Sequence, residues 1–290
     1  MSGVAYEIVD VFTDRPFAGN PLAVVYGAED LAADQMHTLA REFNLSETVF
    51  VLPPADPAAT YRVRIFTPES EIPFAGHPSV GAAVTSMRRG LFAAGEVVQE
   101  CGAGLLPITV TSQGAATVTG SAPRLGEPVP VDHLLEVTGL SADDHQGPAP
   151  RPAGCGLDWV VFPVRREALA TVTIDTRAAA RHGITDLSVV AWNPETAEAH
   201  SRVFIPGSAV PEDPATGSAA LALGVWLVDA GLLPPEGTSS YRIHQGIEMK
   251  RPSRLECTVT ASAGAATSAT VGGHVWPVAS GEIAVPPFVG

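Results

Sequence analysis

Three ionisable side chains stand where the sequence could put them to work on protons. Glu47 follows a segment, residues 30–43, whose apolar positions Leu31, Met36, Leu39 and Phe43 repeat as on one face of a helix that stops at Asn44. A β-branched run begins at once after it, so Glu47 lies at a helix-to-strand junction among Leu45, Val49 and Phe50. Such surroundings strip water from a carboxyl, raise its pKa and suit it to general acid or base work. His77 belongs to Gly76-His77-Pro78-Ser79, ahead of an apolar segment that reads as a buried helix over 78–89. Asp213 stands just ahead of Ala215-Thr216-Gly217-Ser218, which opens a second such helix over 215–230. Helix N-termini carry unpaired N–H groups and partial positive charge, a ready site for a small carboxylate. Glycine lets the backbone approach a ligand there, while Thr, Ser and His supply hydrogen bonds. Each residue also has a plainer reading. Glutamate at a helix end is commonly solvated, Asp before Pro serves as an N-cap, and GHPSVG lacks the Lys-Ser/Thr ending of a phosphate loop.

The two helix openings are copies. Laying FTPESEIPFAGHPSVGAA, from Phe66, over FIPGSAVPEDPATGSAA, from Phe204, at a constant offset of 138 residues pairs Phe66 with Phe204, Pro68 with Pro206, Ser70 with Ser208 and Pro73 with Pro211. Duplication of this kind fixes architecture before any motif is interpreted. At this offset Asp213 falls against Ala75, so one copy carries an acid and the other an imidazole, His77, as in a catalytic cleft whose halves have specialised.

Composition narrows the partners. With 31 acidic against 17 basic residues in 290, the formal charge is -14, and no Lys/Arg cluster exceeds two residues, which argues against nucleic acid and anionic membrane. The first residues, MSGVAYEIVDVF, show no basic-then-apolar leader, and the apolar helix near 220 is too short to span a bilayer; a cytoplasmic protein is expected. Cys101, Cys155 and Cys257 are far apart and show neither disulfide nor zinc spacing. The sole lysine, Lys250, sits in the loop-like QGIEMKRPS, a poor place for Schiff-base chemistry.

Around the two helices the chain alternates as short strands: 4–13, LAVVY, TYRVRIF, GEVVQEC, LLPITVTS and ATVTG, then LDWVVFPV, LSVVAW, HSRVFIP, YRIHQG, RLECTVTA and HVWPVA. A helix apolar nearly all round belongs inside its strands, whereas the helices of a doubly wound sheet show a polar stripe. The expected fold is therefore α+β: two pseudo-symmetric domains, 1–125 and 126–290, each a curled, mostly antiparallel sheet or barrel around a central helix, with a cleft between them. The last strand can return to the first domain.

Six segments in order, DVFTDRPFAGNPLAVV, EFNLSETVFV, RIFTPESEIPFAGHPSVGAA, VFIPGSAVPEDPATGSAA, HQGIEMKRPS and VGGHVWPVASGEI, resemble the PhzF-like phenazine-biosynthesis family over nearly the whole length. That resemblance implies a diaminopimelate epimerase-like fold and a homodimer. Relatives in that wider group use two cysteine bases at the helix openings, where this chain has Ala75-Gly76-His77 and Asp213-Pro214-Ala215. The resemblance makes Glu47 the general acid/base and adds His77 and Asp213 to the catalytic set. Ser46, Gly76, Ser79, Thr216, Gly217 and Ser218 would hold a small carboxylate substrate; Ser79 stands where the family often has Thr. The implied reaction is an allylic proton shift on a small unsaturated amino or hydroxy acid, with no metal or organic cofactor, in secondary metabolism. Two other readings stay open: an epimerase, racemase or dehydratase acting on a proline-like substrate, and a non-catalytic binding protein on the same scaffold.

Overall fold

A computed structural model describes residues 3–208 and 210–287. Met1, Ser2, Ala209 and residues 288–290 lie outside it, and with them the outer ends of both expected domains, the first two positions of the segment read for a leader, and one position of the second repeat. The alternating start of the chain forms β1 (Gly3–Val11), which pairs antiparallel with β2 (Asn20–Tyr26). Helix α1 (Ala33–Phe43) ends at Asn44 in the left-handed conformation, φ 50°, one of the few non-glycine types that tolerates it. Its N-cap is Ala32, where Gln35 reaches back so that its Oε1 accepts from the Ala32 N–H at 3.0 Å. There follow β3 (Thr48–Leu52), β4 (Tyr61–Phe66), the two-residue β5 (Glu71–Ile72), helix α2 (Gly76–Arg88), and β6 (Gly95–Cys101), β7 (Gly104–Val110) and β8 (Ala115–Thr119).

The second half holds β9 (Arg124–Leu125), α3 (Val131–Thr138), β10 (Arg151–Gly154), β11 (Asp158–Pro163), α4 (Thr176–His182), β12 (Leu187–Asn193), β13 (Glu198–Phe204), the two-residue β14 (Glu212–Asp213), α5 (Gly217–Asp229), β15 (Gly237–Gln245), β16 (Ser253–Ser262) and the long β17 (Ala265–Ala284). Helix α4 has no counterpart among the expected elements. Seven residues give too little periodicity to see, and it owes its start to Asp175, whose carboxylate accepts from the N–H groups of Arg177 and Ala178.

By its internal contacts the chain forms two units, Met1–Thr119 with Gly272–Gly290, and Gly120–Val271. The change of unit precedes β9 because β9 pairs with β10. In the first unit β17 pairs with both β1 and β8, and the order β17-β1-β2-β3-β4-β6-β7-β8 closes on itself as an eight-stranded barrel. Two of its pairings, β2 with β3 and β4 with β6, are parallel. Helix α2 lies against β1, β2, β3, β7 and β8, and every residue from Gly76 to Ser86 is buried, as its all-round apolar sequence requires. Gly81 permits this depth: a Cβ there would meet Leu22 Cδ2 at 2.4 Å. Outside, α1 sets Met36, Leu39 and Ala40 against Val25, Phe50, Leu52 and Phe66.

The second unit repeats the plan, with β9-β10-β11-β12-β13-β15-β16 in one sheet and α5 against β9, β10, β11 and β16. Helices α3 and α4 add a separate core around Leu134, Phe162, Leu187 and Val189. No helix among the described residues is long and apolar enough to cross a membrane.

Candidate active site

Alternation along β3 decides where Glu47 points. Phe50 and Leu52 belong to the core under α1, so Val49 and Val51, together with Glu47 just before the strand, face the opposite side, toward α2. There Glu47 Oε2 stands 3.5 Å from His77 Nε2, in the first turn of α2. The carboxyl is 18 % exposed, and Oε2 itself is buried and accepts no hydrogen bond. Burial pushes the Glu47 pKa from 4.5 up to about 7, with the neighbouring Ser46 hydroxyl pulling the other way. A carboxyl poised near neutrality can take a proton from one atom and return it to another at little cost in either direction.

A short chain of side chains orients the imidazole. Ser46 Oγ donates to Asn20 Oδ1 at 3.2 Å, and Asn20 Nδ2 donates to His77 Nδ1 at 3.4 Å. With Nδ1 accepting, the proton of a neutral His77 resides on Nε2, the nitrogen that faces Glu47. Asn20 is fully buried at the start of β2 and was not singled out from sequence. Its signal was present in RPFAGNP, where a polar residue between a turn and a buried strand needs a partner.

Helix α2 leaves its N-terminus open. Its N-cap, Ala75, has no side chain to accept from the first-turn N–H groups, and Pro78 has no N–H at all. The Gly76 N–H therefore has no side-chain cap, and such a group can receive an anion. Ser79 has a different task from the one expected. Its hydroxyl is fully buried, donates to the Ala75 carbonyl at 2.8 Å and accepts from Gln99 Nε2 at 2.9 Å, while Tyr61 donates to Gln99 Oε1. Both of its hydrogen-bonding roles are spent holding the helix start.

In the second unit Asp213 is on β14, paired with Val203, and the N-cap of α5 is Thr216, so Asp213 is not the helix cap. Thr216 Oγ1 donates to Asp213 Oδ2 at 2.5 Å. Gln245, buried at the end of β15, donates from Nε2 to the Asp213 carbonyl at 2.7 Å and to Thr216 Oγ1 at 3.1 Å, and accepts from the Thr216 N–H at 3.1 Å. Thr216 thus positions Asp213, its hydroxyl proton already committed to that carboxylate. The N–H groups of Gly217 and Ser218 open the helix without a side-chain cap, and Ser218 Oγ accepts from Trp159 Nε1 at 3.0 Å. Gln245, like Asn20, was not anticipated; it sits in HQG directly after a clear strand.

The structure also corrects the register of the repeat. The offset of 138 holds through Phe66 and Phe204, which end β4 and β13, but α2 and α5 begin at Gly76 and Gly217, 141 apart. The turn closed by Thr67 N–H to the Ser70 carbonyl is matched by a longer one closed by Ile205 N–H to the Pro211 carbonyl, so three extra residues lie in the second loop. Asp213 therefore corresponds to Ile72, Thr216 to Ala75 and Ser218 to His77.

Two of the three cysteines are buried. Burial raises the Cys155 thiol to about 11 and Cys257 higher still, which disfavours the thiolate a cysteine base needs. Among the described residues no three His, Cys, Asp or Glu side chains gather as metal ligands would.

A buried helix wrapped by strands, used twice, is the diaminopimelate epimerase-like fold, and at one of its helix starts a desolvated carboxyl faces an imidazole. Residues 9–281 match the family model for phenazine biosynthesis-like proteins, PhzC-PhzF, and the chain belongs to that family. It is 38% identical to an uncharacterised isomerase of Mesorhizobium japonicum, over 96% of this chain and 98% of the relative. It is 33% identical to the trans-2,3-dihydro-3-hydroxyanthranilate isomerase of Pseudomonas chlororaphis, over 93% and 95%. The crystal structure of a PhzF-family phenazine biosynthesis protein from Bacillus anthracis superposes with a TM-score of 0.88 at 23% identity, covering 98% of this chain and all of that one, and so shares its fold. The chain is an isomerase of this family.

Proposed function

We propose that the chain moves a proton between two carbons of a small unsaturated amino or hydroxy carboxylic acid, with Glu47 as the single mobile acid/base. The observation that carries this reading is the Glu47 carboxyl, held near neutrality by burial and 3.5 Å from His77. An ionised Glu47 removes a proton from an activated carbon of the bound acid; protonated, it delivers that proton to a second carbon on the same face. His77, with its proton on Nε2, steadies the carboxylate in the first step and donates toward a developing enolate-like oxygen. The Gly76 N–H receives a substrate oxygen. In the second unit Thr216 and Gln245 fix the rotamer of Asp213, to which the family resemblance gives a part in the reaction. Proton transfer of this kind draws on side chains and main-chain N–H groups alone.

The relatives named for trans-2,3-dihydro-3-hydroxyanthranilate make that cyclic amino acid, or a close analogue, the first substrate to assay. A cytoplasmic homodimer serving secondary metabolism accords with the family resemblance. The test is incubation with this substrate in D2O. We expect a shifted double bond with deuterium at the receiving carbon for the wild type, and less than about a hundredth of the rate for Glu47→Gln. Inversion or loss of water without double-bond migration would instead favour the epimerase or dehydratase reading. Binding without any exchange would leave a carrier protein.

A further inference from the structure

The second unit contains a cavity of about 570 Å³ that shares no residue with the catalytic set and falls within the size range of small-molecule sites. It opens where β11 ends. The parallel pairing of β11 with β12 stops at Pro163 and Val190, and β12 runs on through Ala191, Trp192 and Asn193 into the hairpin with β13. Pro148, Val164, Trp226 and Leu232 give it apolar walls.

Two buried polar atoms on residues of this wall have no hydrogen-bond partner, and beside them Arg166 is an exposed guanidinium without an ion pair. Trp192 Nε1 is a buried N–H with no acceptor, and an indole can only donate. His200 Nδ1 is likewise buried with no partner. Arg166 enters no ion pair or hydrogen bond among the described residues, yet it lies near enough to His200 to help depress that imidazole, which burial chiefly drives down to about 4. The two carboxylates of the wall are already in ion contact: Glu198 with Arg242 at 2.7 Å and with His244 at 3.6 Å, and Glu167 with Arg165 at 4.0 Å. Leaving a buried donor unsatisfied costs about 1–3 kcal/mol, so the Trp192 N–H, with an unpaired His200 nitrogen and an unpaired guanidinium on residues of the same wall, points to a ligand that supplies acceptors.

We propose that this cavity is a second ligand site, for a small planar organic carboxylate bearing a further hydrogen-bond acceptor. Arg166 takes the carboxylate, helped by the His200 ring. Cross-strand pairing puts His200 on the face of the hairpin with Ala191, and Trp192 on the other with Ala199. The indole N–H therefore meets the ligand at a different point from Arg166, and an acceptor remote from the carboxylate satisfies it. The planar body lies among the proline, valine and tryptophan walls.

The probe is 4-hydroxybenzoate, titrated calorimetrically into the full chain, with benzoate and 4-hydroxybenzamide as controls. One binding event is expected to survive Glu47→Gln and to weaken roughly tenfold or more in Arg166→Gln, the size of a charge-assisted contact. It should weaken by several-fold in Trp192→Phe and for benzoate, and vanish for the uncharged amide, while turnover by Arg166→Gln matches wild type. Should Arg166→Gln fail to fold, Arg166→Lys keeps the charge and is expected to retain a weakened event with wild-type turnover. The proposal is overturned by a folded wild type giving no saturable binding up to about 10 mM, weaker than any specific site of this size. It is equally overturned by affinity unchanged in Arg166→Gln, or in Arg166→Lys where that variant stands in for it, or by binding that disappears in Glu47→Gln.

Discussion

The two helix openings began as one design and now differ in what they leave unfinished. At α5, Asp213, Thr216 and Gln245 are joined by four hydrogen bonds that hold the carboxylate in one rotamer. At α2, the chain Ser46–Asn20–His77 ends against a carboxyl oxygen that accepts no hydrogen bond. Three additional residues in the second loop place Thr216 where the first copy has Ala75, and that hydroxyl donates to the carboxylate. Duplication supplied two helix starts without a side-chain cap; the first stands beside a desolvated acid able to change protonation state, and the second beside a carboxylate fixed by its neighbours.

The largest test of that contrast is Glu47→Gln, which should lower kcat by at least about 10²-fold with the fold intact, as loss of a general acid/base does. Near-normal turnover would remove Glu47 from the mechanism. Asp213→Asn keeps an oxygen to accept from Thr216 but removes the charge, so kcat/KM should fall roughly tenfold with little change in melting temperature. A lowered melting temperature with unchanged kinetics would make the second network purely structural. Asn20→Ala frees the His77 ring without touching substrate. A loss of about one hydrogen bond's worth, roughly fivefold in kcat, should come with a displaced pH profile, whereas a merely structural residue would leave the profile where it was.

Stability gives a smaller effect of opposite sign. In the unfolded chain Glu47 ionises near 4.5 and in the folded chain near 7, so its contribution is most favourable below about 4.5, declines across the window from 4.5 to 7, and is a net cost above it. Glu47→Gln should therefore be more stable than wild type at pH 8, by an amount of order 2 kcal/mol after allowing for residual exposure, and lose that advantage near pH 4. Parallel denaturation curves at both pH values check this. Smallest of all, Ser79→Ala should leave KM unchanged and cost about 1–2 kcal/mol of stability, because its hydroxyl serves Ala75 and Gln99.

Much of this was legible beforehand where a single local rule governs. The buried helices showed as apolar runs without a polar stripe, Asn44 and Gly231 marked helix ends, and Glu47 stood out as a charge among Leu45, Val49 and Phe50. What escaped notice depends on partners distant in sequence. Asn20 meets His77 across 57 residues and Gln245 meets Thr216 across 29, so that even where the local sequence marks a polar residue in need of a partner, as at Asn20, it does not say which partner. Ser79 looked like a ligand because a hydroxyl in the first turn of a helix can point either way, and only the position of Gln99 decides it. The repeat was visible, but an ungapped offset hid the three residues that set Asp213 against Ile72 instead of Ala75.

The most direct measurement is a ¹³C NMR titration of the Glu47 side-chain carboxyl in the intact protein. The account predicts an inflection near pH 7 that is absent from Glu47→Gln spectra. An inflection at the ordinary glutamate value near 4.5 would contradict it, because a carboxyl that ionises as freely as one in water is not the poised proton carrier described here.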